Sequence, residues 1–237
     1  MAKKERQTHP RMGCRKILNL IQPKLLEEGI CIGRDAFFDL MGLNSMHVEK
    51  KKRFSKTTYS NHGYAISPNR IKDLEIVRPN QVFVSDITYI RTLSGFAYLF
   101  LVTDLYSRNI VGWSVRSDLN HQGATDALSM AIKGLESCKG LIHHTDRGSQ
   151  YCCHDFLKEF KGKGVAFSNT DDCHVYQNAV AERVNGILKD EYNLDSIFRN
   201  VDHLVRTLKQ VIYTYNFLRP HMSLRYSTPA SVYKKAA

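Results

Sequence analysis

Asp86 interrupts an otherwise apolar strand face. Residues 82–91 read VFVSDITYIR, and their β-branched and aromatic side chains predict a β-strand. Because side chains alternate between the two faces of a strand, Asp86 falls on the same face as Val82, Val84 and Ile90. Burial of an ionised carboxylate there is costly unless a partner or a metal ion compensates its charge. This conflict between charge and pattern is typical of a functional residue.

Two further acidic residues could join Asp86. Residues 141–151, LIHHTDRGSQY, predict a short buried strand that ends at Asp146, after which a glycine lets the chain turn. Glu182 lies on a helix predicted over residues 178–192, away from its apolar stripe. If the two strands are neighbours and the helix crosses their open edge, the three carboxylates meet. The alternative is three unrelated acids at surfaces or caps, and their spacing alone leaves both possibilities open.

Three carboxylates at one point would define a site for a hard divalent cation. Their mutual repulsion disfavours an empty site, and Mg2+ prefers oxygen ligands while it keeps waters and accepts phosphate oxygens. Two such ions about 3.5–4 Å apart can activate an attacking oxygen and stabilise the leaving oxygen of a phosphodiester. The acid set therefore predicts metal-assisted phosphoryl-transfer chemistry.

The elements predicted around these acids form a mixed sheet with helices packed on it. Strands over residues 82–91, 96–105 and 110–116 are joined by tight turns, which predicts an antiparallel meander. Helices and two short strands follow, predicted over residues 121–137, 141–146, 149–161, 165–167, 178–192 and 201–217. This order indicates an α/β domain with a mixed five-stranded sheet.

The first part of the chain predicts a small all-helical segment. Residues 1–12 are polar and basic, and we expect them to be frayed. Apolar residues recur at helical spacing up to residue 26, with Pro23 as a break, and Gly33 opens a second helix. The pair could be a helix-turn-helix that binds DNA or an ordinary helical hairpin. Its candidate DNA contacts are Arg15, Lys16 and Arg34.

The positive charge is concentrated near the N-terminus. The net charge is +11, of which residues 1–80 carry +8 (16 Lys/Arg and 8 Asp/Glu) and residues 81–237 carry +3 (18 and 15). This asymmetry indicates a polyanionic partner, and nucleic acid is favoured. Residues 47–78 form a basic linker that either lies along a phosphate backbone or is a solvated tether. Its basic cluster is Lys50, Lys51, Lys52 and Arg53.

Cysteine usage and hydropathy narrow the class of protein. The six cysteines form no C-x-x-C pair, no secretory signal opens the sequence, and no apolar run reaches the length of a membrane span. We therefore expect reduced thiols in a soluble, cytoplasmic protein without membrane contact. Histidines follow Cys153 and Cys173, but this spacing fits no familiar zinc module.

Four motifs give the sequence a resemblance to a known family. From residue 78 onward it resembles the integrase catalytic core of DDE transposases, and most of all the second-reading-frame protein of the insertion-sequence-three family. The motifs are SDITYI around Asp86, HTDRGSQY around Asp146, QNAVAERVNGILKDEY around Glu182 and YNFLRPHMSL near the end. Between the acids lie 59 and then 35 residues, and the second gap is the one this family uses. Residues 9–46 resemble the family's helix-turn-helix segment through HPRMGCRK and GRDAFFDLM.

The resemblance implies an RNase H-like fold over residues 79–237 and a transposase activity. Asp86, Asp146 and Glu182 would be the catalytic residues and would bind two Mg2+ or Mn2+ ions. Hydrolysis would free a 3'-hydroxyl at the end of the element, and this hydroxyl would then attack another phosphodiester. No covalent enzyme intermediate is needed for either step.

Partners and further contacts are implied by the same resemblance. A homo-oligomer would bind the element ends and the target duplex, together with the element's first-reading-frame protein. Arg183 and Lys189 would meet the DNA backbone, and His144 would either orient a ligand or fill the core. The terminal motif residues would serve either folding or DNA contact; they are Asn216, Arg219 and His221.

Departures from the family pattern are small. Phe83 stands where the family commonly has Trp, and Tyr176 and Gln177 precede Asn178 where many members have an Asp-Asn pair. Other readings remain open: a nuclease of the same fold, a non-catalytic DNA-binding regulator, or a truncated transposase. The intact set of three acids favours the transposase, since a pure binding protein could lose any of them.

Overall fold

A computed structural model describes residues 1–49, 63–171 and 178–235. The predicted basic cluster of residues 50–53 lies outside the described residues, as do Tyr176 and Gln177. Cys14, Cys31, Cys138, Cys152 and Cys153 are free thiols, as the sequence predicts for them. No helix within the described ranges is long and apolar enough to cross a membrane.

One mixed sheet of five strands forms the centre of the fold. Strands β1 (Val82–Thr92), β2 (Gly95–Asp104) and β3 (Ile110–Arg116) pair antiparallel in sequence order. Strand β4 (Ile142–Thr145) pairs parallel to β1, and β5 (Ala166–Asn169) pairs parallel to β4. The strand order β3-β2-β1-β4-β5 confirms the predicted meander and the predicted contact between the first and fourth strands.

Helices cover both faces of this sheet. In the first part of the chain lie α1 (Ala2–Thr8), α2 (Cys14–Glu27) and α3 (Arg34–Leu43). The sheet region carries α4 (His121–Ile132), α5 (Ser149–Cys152), α6 (His154–Lys161) and α7 (Ala179–Glu191). The last part holds α8 (Val201–Tyr213), a π-helical turn (Thr214–Leu218), a 3-10 turn (Met222–Leu224) and α9 (Pro229–Lys235).

Strand alternation divides the core into two apolar layers. Leu99 and Leu101 of β2 face the layer formed with α7 and α8, whereas Phe100 and Val102 face the layer formed with α4 and α6. Helix α4 approaches the sheet so closely that a Cβ at Gly123 would lie 2.2 Å from the Phe100 ring. A side chain at that position would force the helix away from the sheet.

Several predicted boundaries were wrong. The helix predicted over residues 149–161 is broken at Cys153, whose ψ of 149° is extended, and α4 ends at Ile132, five residues before its predicted end. The predicted last helix changes its hydrogen bonding after Tyr213, where the Arg219 amide bonds to the Thr214 carbonyl five residues back. Helix α9 was not predicted.

The N-terminal segment is more ordered than the sequence predicted. Residues expected to be frayed form α1, and Arg6 hydrogen-bonds to the Met46 carbonyl oxygen at 2.8 Å. Helix α2 continues through Pro23, which lies near its C-terminal end, where a missing N–H costs a single backbone hydrogen bond. The three helices share a small core made of Met12, Ile17, Leu18, Ile21, Phe37 and Met41. This packing suits a helical hairpin and a helix-turn-helix equally, so the DNA-binding assignment stays a prediction.

Candidate active site

The pairing of β1 with β4 brings two of the predicted acids to one edge of the sheet. The last paired residues are Ser85 and Thr145, and Asp86 and Asp146 are the next residues of their strands. Strands in parallel register end side by side, so the two carboxylates lie next to each other at the C-terminal end of β4. Asp146 follows the strand directly, as predicted.

The surroundings of Asp86 hold its two oxygens in place but do not neutralise its charge. The amide of Asn185 donates to Oδ2 at 2.8 Å, and the backbone N–H of Ile87 donates to Oδ1 at 2.9 Å. Burial and the neighbouring negative charge of Asp146 raise the pKa of Asp86 to about 7, with Glu182 adding to the effect. A carboxyl with this pKa is one whose ionised form is disfavoured by burial and by a neighbouring like charge.

The turn after β4 fixes Asp146. The backbone N–H of Gly148 donates to Asp146 Oδ1 at 3.0 Å, and a Cβ at Gly148 would lie only 3.1 Å from that oxygen. Beside it, burial and the charges of Asp86 and Asp146 raise the pKa of the Tyr151 hydroxyl. Tyr151 is therefore a neutral phenol facing the two acids.

Glu182 is the third predicted acid and lies in the first turn of α7. Its side chain is exposed, whereas Asp86 and Asp146 are partly buried. Its charge reaches Asp86, since it contributes to the raised pKa of that residue. Across the described parts of the chain, however, no three His, Cys, Asp or Glu side chains are gathered closely enough to hold a metal ion. The predicted convergence is therefore incomplete: Asp86 and Asp146 adjoin, and Glu182 acts on Asp86 through its charge.

The predicted DNA contacts fall in different environments. Arg15 and Arg183 are exposed, and Arg34 is exposed but paired with Asp35 at 2.7 Å. Lys189 is partly buried; burial lowers its pKa, while the charge of Asp86 acts in the opposite direction.

The position of Lys16 argues against its predicted direct contact with DNA. Its Nζ is 2.8 Å from Glu191 Oε1, and the residue is only 9% exposed. Arg219 binds the same carboxylate with two hydrogen bonds, of 2.8 Å from Nε to Oε2 and 2.7 Å from Nη2 to Oε1. Burial alone would raise the pKa of Glu191, but Arg219 and Lys16 outweigh it and hold that pKa at about 2. Lys16, Glu191 and Arg219 are called the ion cluster below.

Two residues of the terminal motif, Asn216 and Arg219, and also His144 make contacts within the fold. Asn216 pairs with both backbone groups of Ile110 on β3, accepting from its N–H and donating to its carbonyl, each at 2.9 Å. Arg219 completes the ion cluster and is 2% exposed. His144 is fully buried and hydrogen-bonds through Nδ1 to the Ser168 hydroxyl at 2.8 Å. These contacts favour packing over a role in orienting a ligand.

Sequence reasoning missed the roles of Asn185 and Tyr151. Asn185 lies three residues after Glu182 and therefore shares its helical face, so the spacing held a signal for a residue pointing at the acids. Tyr151 lies in the motif around Asp146 but reads as an ordinary core aromatic. Only the fold shows that its hydroxyl lies within electrostatic range of the two acids.

Family comparisons agree with this geometry. Residues 77–173 and residues 163–229 match the family described as "Integrase core domain". The chain is 34% identical over 219 residues to the "Insertion element IS600 uncharacterized 31 kDa protein" of Shigella sonnei, covering 91% of this chain and 80% of that protein. It is 37% identical over 147 residues to "Transposase InsF for insertion sequence IS3A" of Escherichia coli, covering 62% of this chain. The chain spans about half the length of that relative, namely 51%.

Solved structures with the same architecture are viral integrases. The HTLV-2 integrase catalytic core domain, solved in complex with magnesium, aligns with 66% of this chain and 98% of its own length at a TM-score of 0.53 and 20% identity. The integrase in a simian T-cell lymphotropic virus intasome covers 98% of this chain, over 74% of its own length, at a TM-score of 0.58 and 16% identity. At these identities the likeness establishes the fold alone.

The sheet order and the acids at its edge thus define an RNase H-like integrase catalytic core preceded by a helical segment. With the relatives above, the chain belongs to the insertion-sequence-three family of DDE transposases.

Proposed function

We propose that this chain catalyses metal-dependent DNA cleavage and strand transfer in the transposition of an insertion sequence. The carrying observation is the adjoining pair Asp86 and Asp146: burial and the charge of Asp146 raise the pKa of Asp86 to about 7. Two carboxylates held together at a partly buried place are expected where a cation is to bind, because a bound cation relieves their mutual repulsion. Family membership and the "Transposase" relatives give the same direction.

The donor set fits a hard divalent cation. Asp86, Asp146 and Glu182 offer only carboxylate oxygens, which suit Mg2+ or Mn2+. Each oxygen of Asp86 accepts one hydrogen bond and so keeps a lone pair for a further ligand. When bound, two such ions would activate the attacking oxygen and stabilise the leaving oxygen of a phosphodiester.

The chain's own residues would orient the acids and the substrate. Asn185 holds the Asp86 carboxylate, and the Gly148 amide holds that of Asp146. Lys189 carries a positive charge close to Asp86 and would meet a phosphate at the edge of the site. Arg183 projects into solvent one residue after Glu182 and would contact the same DNA strand. The proposed partners are the element ends, a target duplex, further copies of this chain and the first-reading-frame protein.

The test is a strand-joining assay with the full chain and a labelled duplex that carries the end of the element. With Mg2+ or Mn2+ we expect nicked and joined products. Asp146→Asn should lower their rate at least about 100-fold, or roughly 2.7 kcal/mol of barrier, because it removes one metal-binding charge. Asp155→Asn is the matched control, since Asp155 is an exposed acid on α6 away from the site, and it should react like the wild type.

Two outcomes would contradict the proposal. Equal rates for wild type and Asp146→Asn would remove the acids from the mechanism. Duplex binding without any metal-dependent product, even after addition of the first-reading-frame protein, would instead support a non-catalytic DNA-binding regulator.

A further inference from the structure

A cavity of about 360 Å3 lies beside α7, between α2 and the segment that follows α8. Its apolar wall comes from the face of α7 that carries Val180, Val184 and Ile187. Glu182 and Asn185 lie on the opposite face of the same helix. The cavity is therefore separate from the acids, although both borders share one helix.

The lining of this cavity is cationic. Among the described residues that line it there is no Asp or Glu, while its basic and imidazole side chains are Lys16, Arg108, Arg183, Arg219 and His221. Glu191 lies behind the wall and offsets only part of this charge, because both Lys16 and Arg219 bind it. Burial and then the charge of Arg219 lower the pKa of Lys16, which reflects the positive potential at this place.

Two arginines leave charge for a ligand. Arg183 is exposed and has no ion-pair partner within the described ranges. Arg108 donates to the Leu105 carbonyl oxygen through Nη1, a contact with a neutral acceptor that leaves its charge in place. Arg183 thus lies at the solvent side of the cavity. Arg108 adds a second positive charge from the loop between β2 and β3.

His221 gives an independent observation that points to a ligand, namely a buried ring nitrogen. The residue is only 7% exposed, and its Nε2 is buried without a hydrogen-bond partner in the described part of the chain. Burial and the charge of Arg219 lower its pKa to about 3, so the ring is neutral at pH 7. A neutral ring that carries its proton on Nε2 is a buried donor without an acceptor, which is costly unless a ligand provides one.

We propose that this cavity binds a phosphate of the DNA backbone, with Arg183 and Arg108 as its cationic contacts and His221 Nε2 as a hydrogen-bond donor. This rests on the proposed function, since it supplies a second phosphate contact for the DNA held at the acids. Arg183 lies on α7 between the face of Glu182 and the cavity face, so DNA that passes from the acid site around the helix comes within its reach. The apolar wall suits a deoxyribose beside the phosphate and offers nothing to a small hydrated anion.

The first test measures equilibrium binding of the full chain to a labelled duplex by fluorescence anisotropy in EDTA, over a series of NaCl concentrations. Arg183→Gln should weaken binding about 5–10-fold at 0.1 M NaCl and lower the slope of log K against log[NaCl] by about 1, as loss of one phosphate contact requires. Arg206→Gln is the matched control, because Arg206 is an exposed arginine on α8 outside the cavity. It should change binding less than about 2-fold.

His221→Phe is the second variant. It keeps an aromatic ring against Tyr215 but removes the Nε2 donor. In the wild type the His221 and Tyr215 rings pack edge to face, with their centroids 5.3 Å apart. We expect binding about 3–5-fold weaker with an unchanged salt slope, because the lost group is neutral. Circular dichroism melting of each variant shows whether the fold is retained, and Arg183→Gln remains informative if His221→Phe melts early.

The outcomes separate this site from the acid chemistry. If both variants bind DNA with the affinity and the salt slope of the wild type, the phosphate site is wrong. The proposed strand-joining activity is not affected by that result. Weakened binding in both variants supports the site even where no strand joining is detected. Inorganic phosphate provides a third arm: if it raises the melting temperature of the wild type but not of the variants, while all bind DNA alike, the cavity takes free anions and the DNA proposal is wrong.

Discussion

The two ends of α7 place acidic side chains in opposite electrostatic environments. Near its first turn, which carries Glu182, burial and the like charges of Asp146 and Glu182 raise the pKa of Asp86 to about 7. At its last residue, Glu191 is bound by Lys16 and Arg219, and its pKa falls to about 2. The difference teaches how to tell a structural acid from a functional one. An acid bound by cations holds the fold together, whereas we expect a buried acid beside a second acid to bind a cation.

Replacement of Glu191, the acid at the last residue of α7, should have the largest effect on stability. Glu191→Gln leaves Lys16 and Arg219 buried without a counter-charge, so we expect a loss of about 3–5 kcal/mol in the free energy of unfolding. Urea denaturation followed by circular dichroism measures it. Glu159→Gln is the control, since Glu159 forms an exposed pair with Lys163, and it should cost less than about 0.5 kcal/mol. A loss below 1 kcal/mol for Glu191→Gln would remove the ion cluster as a determinant of stability.

The same comparison predicts that the contribution of Glu191 to the free energy of unfolding depends on pH. The pKa of Glu191 is about 2 in the folded protein and 4.5 ordinarily, so the folded state favours the ionised form. Its contribution of about 3 kcal/mol is complete above pH 4.5 and is lost as the pH falls toward 2. The difference in unfolding free energy between wild type and Glu191→Gln should therefore shrink over that range. A constant difference from pH 7 to pH 3 would contradict the lowered pKa.

Near the first turn of α7, loss of the negative charge of Asp86 should stabilise the protein. The pKa of Asp86 is about 7 when folded and 3.8 ordinarily, so ionisation opposes folding increasingly as the pH rises from 4 to 7. In EDTA at pH 7, Asp86→Asn should gain about 2 kcal/mol, less than the shift alone implies because its amide meets donors from Asn185 and Ile87. At pH 4 the effect of the charge is nearly gone, so the same amide penalty should leave Asp86→Asn about 1–2 kcal/mol less stable than the wild type. Destabilisation at pH 7 would show that Asp86 already has a compensating partner.

Asn185 offers the smallest and sharpest change. Asn185→Ala removes the hydrogen bond to Asp86 Oδ2 without altering charge, so we expect about 1 kcal/mol less stability and roughly 10-fold slower strand joining. Ser196→Ala is the control, because its hydroxyl bonds to the Asn193 carbonyl oxygen on an exposed turn. If Asn185→Ala retained the full joining rate, Asn185 would be a packing residue and not a positioning one.

The sequence predicts those features of the structure that depend on neighbouring residues, and fails for those that depend on residues far apart in the chain. Period-two runs such as residues 82–91 report local burial, so the strands and the meander of the first three could be predicted, whereas the sequence left open whether β4 adjoins β1 and brings Asp146 to Asp86. The break at Cys153 carries no Gly or Pro and left no local signal. Nor could the ion cluster be anticipated, since Lys16 and Glu191 are 175 residues apart and an isolated lysine on a helix reads as a surface charge.

The separation within the ion cluster also bears on how the protein is made. A ribosome adds about 5–20 residues per second, so roughly 10–35 s pass between synthesis of Lys16 and synthesis of Glu191, 175 residues later. Throughout that interval the nascent N-terminal helices present this lysine, with Arg15 beside it, to the surrounding water and nucleic acid. Docking of the helices onto the finished core then buries the amine, so Lys16 is a surface charge only in the nascent chain.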